Sequence, residues 1–141
     1  GWEPAKVITA RLAPDMHDFA YQVKSCHTHS ALAIEGVRAG VFSPETSEPP
    51  KDFAGLKARL AAAIQALEAI DPAEFETLAD KDVEFRAGDF VIPFTAPNFL
   101  LSFSQPNFYF HLTTTYAILR HLGVEIGPRD YNGALRVKPK P

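Results

Sequence analysis

The chain has 141 residues, 46% of them hydrophobic, with 14 Lys and Arg against 17 Asp and Glu, a formal net charge of -3. That size and composition predict a single soluble domain able to bury one core, and the lack of a basic excess excludes a protein that grips a nucleic-acid backbone through clustered cations. The single cysteine, Cys26, excludes an internal disulfide and a thiolate zinc cluster and points to a reducing compartment, the cytoplasm; no run approaches the ~20 apolar residues that cross a membrane.

Residues 2–12 carry Pro4 and a short apolar pattern in Val7, Ile8 and Leu12, which predicts an entry segment of one or two helical turns. Asp15 is placed to cap a long helix over about 15–35, with Met16, Phe19, Val23, Cys26, His27, Ser30, Ile34 and Val37 on its inward stripe. On this reading His27 turns inward. His17, Tyr21, Lys24 and Thr28 share a polar side, and His29 lies with Gln22 and Ser25 on a solvated one. Residues 40–50, with Pro44, Pro49 and Pro50, read as a surface loop.

Asp52 caps a further helix in which Phe53, Leu56, Leu60, Ala63, Ile64, Leu67 and Ile70 keep helical spacing and are expected to be packed. Asp71-Pro72-Ala73-Glu74 is a helix start signal and predicts a short helix over 72–78. Val83-Glu84-Phe85 and residues 90–94 flank Ala87-Gly88-Asp89 as a hairpin, expected to lie outside the core, with Pro93 confining its second strand to an edge. Thr95 then starts a helix carrying Phe99, Leu100 and Phe103, which Pro106 is expected either to kink or to break from the next one.

Residues 106–123 hold the strongest helical period. Phe108, His111, Leu112, Thr115, Ile118, Leu119 and Leu122 form one stripe, and His111 is the histidine inside it. Asn107 is expected to pair with backbone that Pro106 frees. Arg129, Asp130 and Tyr131 are expected to tie down the loop that follows, where an Arg-Asp pair could also hold an anionic ligand. Residues 134–141, with Arg136, Lys138 and Lys140, read as a mobile basic tail on a single domain of residues 1–133. No phosphate-cradling glycine loop, Ser-His-Asp order or carboxylate pair specifies a hydrolytic reaction.

Four strings, Arg11-Leu12-Ala13-Pro14-Asp15-Met16, Pro106-Asn107-Phe108-Tyr109-Phe110-His111, Tyr116-Ala117-Ile118-Leu119-Arg120-His121-Leu122-Gly123 and Gly127-Pro128-Arg129-Asp130-Tyr131-Asn132-Gly133, resemble the bacterial DUF1993 family of unknown function. That family is similar in turn to the DinB-like and YfiT-like proteins, a superfamily of proposed metalloenzymes. The resemblance implies an all-α fold, a DinB-like up-down-down-up four-helix bundle, with the small hairpin placed before the last helix. Members resemble one another in a long amphipathic helix ahead of the Arg11 string, where only some ten residues stand here. The first bundle helix is therefore expected to be missing from this chain, its groove filled by an upstream segment or a partner chain, as in a homodimer.

DinB-like proteins also resemble one another in offering one histidine from the second helix and a His-x-x-x-His pair from the last. Here the residue four after His111 is Thr115, and His121 stands ten residues on, ~15 Å along a helix at its 1.5 Å rise per residue. The expected metal ligands are thus His27 and His111, for zinc, nickel or iron, without a cofactor being fixed. The expected ligand pocket adds Thr115, Tyr116, Asn107, Asp130 and Tyr131. Three functions follow: a small-molecule-binding or interaction module; a divalent-metal-dependent enzyme of the DinB-like type, a thiol transferase with a degenerate metal site; or an oligomeric scaffold using the exposed groove. Nucleic acid and membrane are not expected partners.

Overall fold

The structure is a computed structural model and describes residues 2–141. It opens with α1 (Pro4–Ile8), whose buried Val7 and Ile8 pack on the next helix, α2 (Phe19–Thr28). The cap of α2 is Asp18 rather than Asp15: the Asp18 carboxylate accepts the N–H of Tyr21. The long helix expected over 15–35 is two helices, because the chain leaves helical geometry at His29 and Ser30 before α3 (Ala31–Ala39). The Ser30 hydroxyl donates to the Cys26 carbonyl at 2.6 Å, satisfying an end carbonyl that a continuing helix would have bonded to the Ser30 N–H.

Gly40 ends α3 at φ 76°, and the chain turns at once into β1 (Val41–Phe42). A Cβ on Gly36 would come 2.9 Å from Phe42 Cβ, so the missing side chain lets β1 lie against α3. A long connection then leads to α4 (Phe53–Glu68), capped as expected by Asp52, which accepts the Gly55 N–H. After α5 (Glu74–Leu78) come β2 (Asp82–Ala87) and β3 (Phe90–Thr95), paired antiparallel with Phe85 opposite Ile92.

The expectation of an all-α bundle is overturned by this sheet. β1 pairs parallel with β2, giving the order β1-β2-β3, so the fold is mixed α/β. The hairpin is not an outlying ribbon either. Val83 is 1% exposed and packs with Val37, Phe42, Leu78, Ala96 and Phe99 in a core of its own, flanked by Phe85, Phe94 and Phe103. A second core of Ile8, Phe19, Val23, Leu56 and Ile118 holds the helices together. On α4 only Leu56 and Ala63 are buried; Leu60, Ile64 and Leu67, expected to be packed, face solvent.

The chain is helical from α6 (Ala96–Asn98) through a π-helical segment, Phe99–Ser104, into α7 (Gln105–His121). Pro106 therefore does not break the helix. It has no N–H and its ring crowds the carbonyl four residues back, and the widened turns lie immediately upstream, where that crowding must be absorbed. Asn107 donates from its amide to the Phe103 carbonyl at 2.8 Å, one residue beyond the Ser102 carbonyl that Pro106 leaves without its helical donor, so the expected pairing with freed backbone falls on the neighbouring carbonyl. The short α8 (Pro128–Asn132) follows, and residues 134–141 are exposed and without regular structure.

Candidate functional site

α2 is buried on nearly every side, between α4 and α7. Its polar residues Gln22 and Ser25 and the capping His29 just past its end, spaced three and four apart along one face, are turned toward α7 rather than toward water. Ser25 and His29, together with β1, β2, the π-helical segment and α7, border a cavity of about 200 Å³, with Gln22 behind His111. Phe42, Phe85, Phe103 and Tyr21 form aromatic walls, and Lys24, Thr28, His29, Asn107 and His111 supply polar groups.

His29 and His111 meet in this cavity with their rings nearly parallel, 8° apart in plane and 5.5 Å between centroids. His29 is held from behind: its carbonyl accepts the Ser104 hydroxyl at 2.9 Å, and its ring lies 6.0 Å from Phe42 and 5.7 Å from Phe103. Burial among these groups pushes the His29 imidazole down to about 4. His111 is likewise pushed down to about 4, first by burial and then by the neighbouring His29 and His17. Both rings are therefore neutral at pH 7. The Nδ1 atom of His29 is buried and has no hydrogen-bond partner among the described residues. Nδ1 of His111 bonds Gln22 Oε1 at 2.7 Å.

Lys24 is 3% exposed, an unusual place for an ammonium, and is satisfied by the main chain of the connection between β1 and α4. Its Nζ donates to the Glu45 carbonyl at 3.1 Å and to the Ser47 carbonyl, and lies 5.5 Å from the centre of the Tyr21 ring. The Glu45 carboxylate is fully engaged by Arg59 through two bonds of 2.8 and 2.6 Å, by Thr28 at 3.0 Å and by Ser47 at 2.8 Å. Chiefly through the Arg59 bonds, its carboxyl is held down to about 2. The cavity wall thus contains one ammonium and one carboxylate already matched to a guanidinium.

A model of the family described as a domain of unknown function, DUF1993, matches residues 1–132. The chain belongs to the DUF1993 family. Its structure is similar to the crystal structure of a DinB family member protein from Shewanella denitrificans, with a TM-score of 0.78 and 27% identity over 96% of this chain and 76% of that one. No curated protein matches it.

In this DUF1993 chain the residues singled out from the sequence separate into four places. His111 and Asn107 line the cavity. His27 does not: it faces α4, where its Nδ1 accepts a hydrogen bond from Arg59 Nε at 3.2 Å, and burial and the Arg59 charge lower its affinity for a proton. Thr115 turns its hydroxyl back to the His111 carbonyl at 2.8 Å and touches Cys26, whose thiol burial pushes up to about 11. Tyr116, Asp130 and Tyr131 gather at the far end of α7. There Asp130 accepts the Gly127 N–H, the Tyr131 hydroxyl meets Thr113 at 3.1 Å, and the Tyr116 and Tyr131 rings cross edge to face.

The residues do not fit the three-imidazole metal site that the DinB-like resemblance implies. The third imidazole is missing, because the residue four after His111 is Thr115, whose hydroxyl is bonded to the His111 carbonyl, and His27 is turned away to Arg59. Among the described residues no group of three His, Cys, Asp or Glu side chains is arranged to hold a metal ion. The sequence points to no role for Gln22 and His29, although their shared face with Ser25 is legible, nor for Lys24 on the His17, Tyr21 and Thr28 side. The available signal was the position of α2: a helix packed on both sides has no solvated face, so its polar stripe belongs to a site.

Proposed function

We propose that this protein is a small-molecule-binding module whose ligand enters the cavity between α2 and α7 and bonds the neutral imidazoles of His29 and His111. The observation that carries this reading is the unpartnered, buried Nδ1 of His29 beside an aromatic wall. An unsatisfied buried polar atom costs about 1–3 kcal/mol, and a ligand that pairs it recovers that cost on binding. The volume lies below the ~300–1,000 Å³ of drug-sized sites, so the ligand is a small metabolite. The aromatic walls suit a planar molecule, and Lys24 favours one with an electron-rich or acidic edge.

Screening a library of small planar polar fragments by NMR tests this. Hits are expected to move the ring resonances of His29 and His111 together, and to be lost in His111→Phe. Hits that shift only residues at the far end of α7, or no hits at all, would count against the cavity as the binding site.

A further inference from the structure

The side chain behind His111 decides which of its ring nitrogens carries the proton. The main-chain carbonyl of His17 can only accept a hydrogen bond, and the Gln22 amide meets it with Nε2 at 3.2 Å. Turning the amide over would set two carbonyl oxygens against each other. This orientation places Gln22 Oε1, itself only an acceptor, 2.7 Å from His111 Nδ1. The proton of the neutral ring must then sit on Nδ1, which leaves the lone pair on Nε2. His111 Nε2 bonds no described residue and, unlike His29 Nδ1, is not among the fully buried polar atoms. Gln22 is 2% exposed and ordered by the turn of α2, so the arrangement is built into the helix.

We propose that Gln22 is a positioning residue that locks His111 as the Nδ1–H tautomer, so that Nε2 stands in the cavity as an acceptor and the site selects small planar ligands bearing an O–H or N–H. The ligand half of this inference rests on the binding role proposed above. The tautomer half rests on the hydrogen bonds alone.

The test uses the full chain labelled with nitrogen-15 and long-range proton–nitrogen correlation of the histidine rings at pH 7.5. Wild type is expected to give the Nδ1–H pattern for His111. Gln22→Glu, whose carboxylate still accepts from Nδ1, should keep that pattern while moving the ring's titration upward; Gln22→Met should revert to the commoner Nε2–H form. An Nε2–H pattern in wild type would overturn the lock, and that outcome needs no variant to fold.

Phenol and its methyl ether, anisole, then probe the ligand half. Phenol should bind wild type about fivefold or more tightly than anisole, the worth of one net hydrogen bond, and the ratio should fall toward one in Gln22→Met. Equal binding of the two probes would overturn the selection. Failure of both to bind, with the Nδ1–H pattern present, would overturn the binding half and leave the lock standing.

Discussion

His27 and His29 stand two residues apart at the end of α2 and meet opposite surroundings. His27 looks toward α4, into a network in which each polar group has a partner: Arg59 donates to His27 and to Glu45, and Thr28 and Ser47 close the remaining positions on the carboxylate. His29 looks toward α7, where its Nδ1 has no described partner and its nearest ring is another neutral imidazole. The first face is a latch that holds the connection over residues 43–52 onto the helices. The second keeps polar atoms desolvated without using them internally, and folded proteins retain such groups chiefly where something else uses them.

Removing the wall of the second face gives the largest expected effect. Phe99 is fully buried and lies 5.3 Å from Phe42 and 5.4 Å from Phe103, ring centre to ring centre, the two aromatics that border the cavity. Phe99→Ala should lower the unfolding free energy in urea by about 4 kcal/mol and weaken fragment binding, because cavity loss in an aromatic core relaxes only in part. Breaking the latch comes next. Arg59→Met leaves the Glu45 carboxylate, whose side chain is 25% exposed, without its guanidinium and should cost about 2 kcal/mol near neutral pH. Because folding holds the Glu45 carboxyl at about 2 rather than 4.5, the pair's contribution is complete above pH 4.5 and is lost as pH falls toward 2. Urea curves of the two proteins should therefore converge over that window, and parallel curves would show that the latch stabilises by packing instead.

The two faces also differ in how far the sequence disclosed them. Strong local signals survived in the structure: Asp52 as a helix cap, the hairpin centred on Gly88 and the helix around His111 all follow from residues close in sequence. β1 did not, since two residues leave no alternation to detect and its partner strand lies some forty positions on. Nor did the break after Thr28, which depends on one serine hydroxyl competing for a carbonyl. Periodicity groups Gln22, Ser25 and His29 on one face, but a polar stripe reads as solvated from sequence alone, and only the packing of α7 against α2 turns it inward.

Titration of the two faces separates them further. Folding depresses the proton affinity of His29 and His111 from 6.5 to about 4, so their neutral forms favour the folded state fully above pH 6.5 and progressively less as pH falls toward 4. The expected loss is on the order of 1–2 kcal/mol per ring by pH 5, above the window in which Glu45 titrates. His27 is lowered in the same sense, so substitution is needed to assign the acid limb.

His29→Phe removes the unpartnered nitrogen and leaves an aromatic ring beside Phe42 and Phe103. It should raise stability by about 1 kcal/mol at pH 7, flatten the limb between pH 6.5 and 5, and weaken ligand binding. His27→Phe should do none of these. It deprives Arg59 of one acceptor at a half-buried position where the guanidinium keeps both bonds to Glu45, so the loss should stay below about 1 kcal/mol, with the acid limb largely intact. A stabilising His27→Phe together with a destabilising His29→Phe would exchange the roles of the two faces and move the site to the α4 side of the helix.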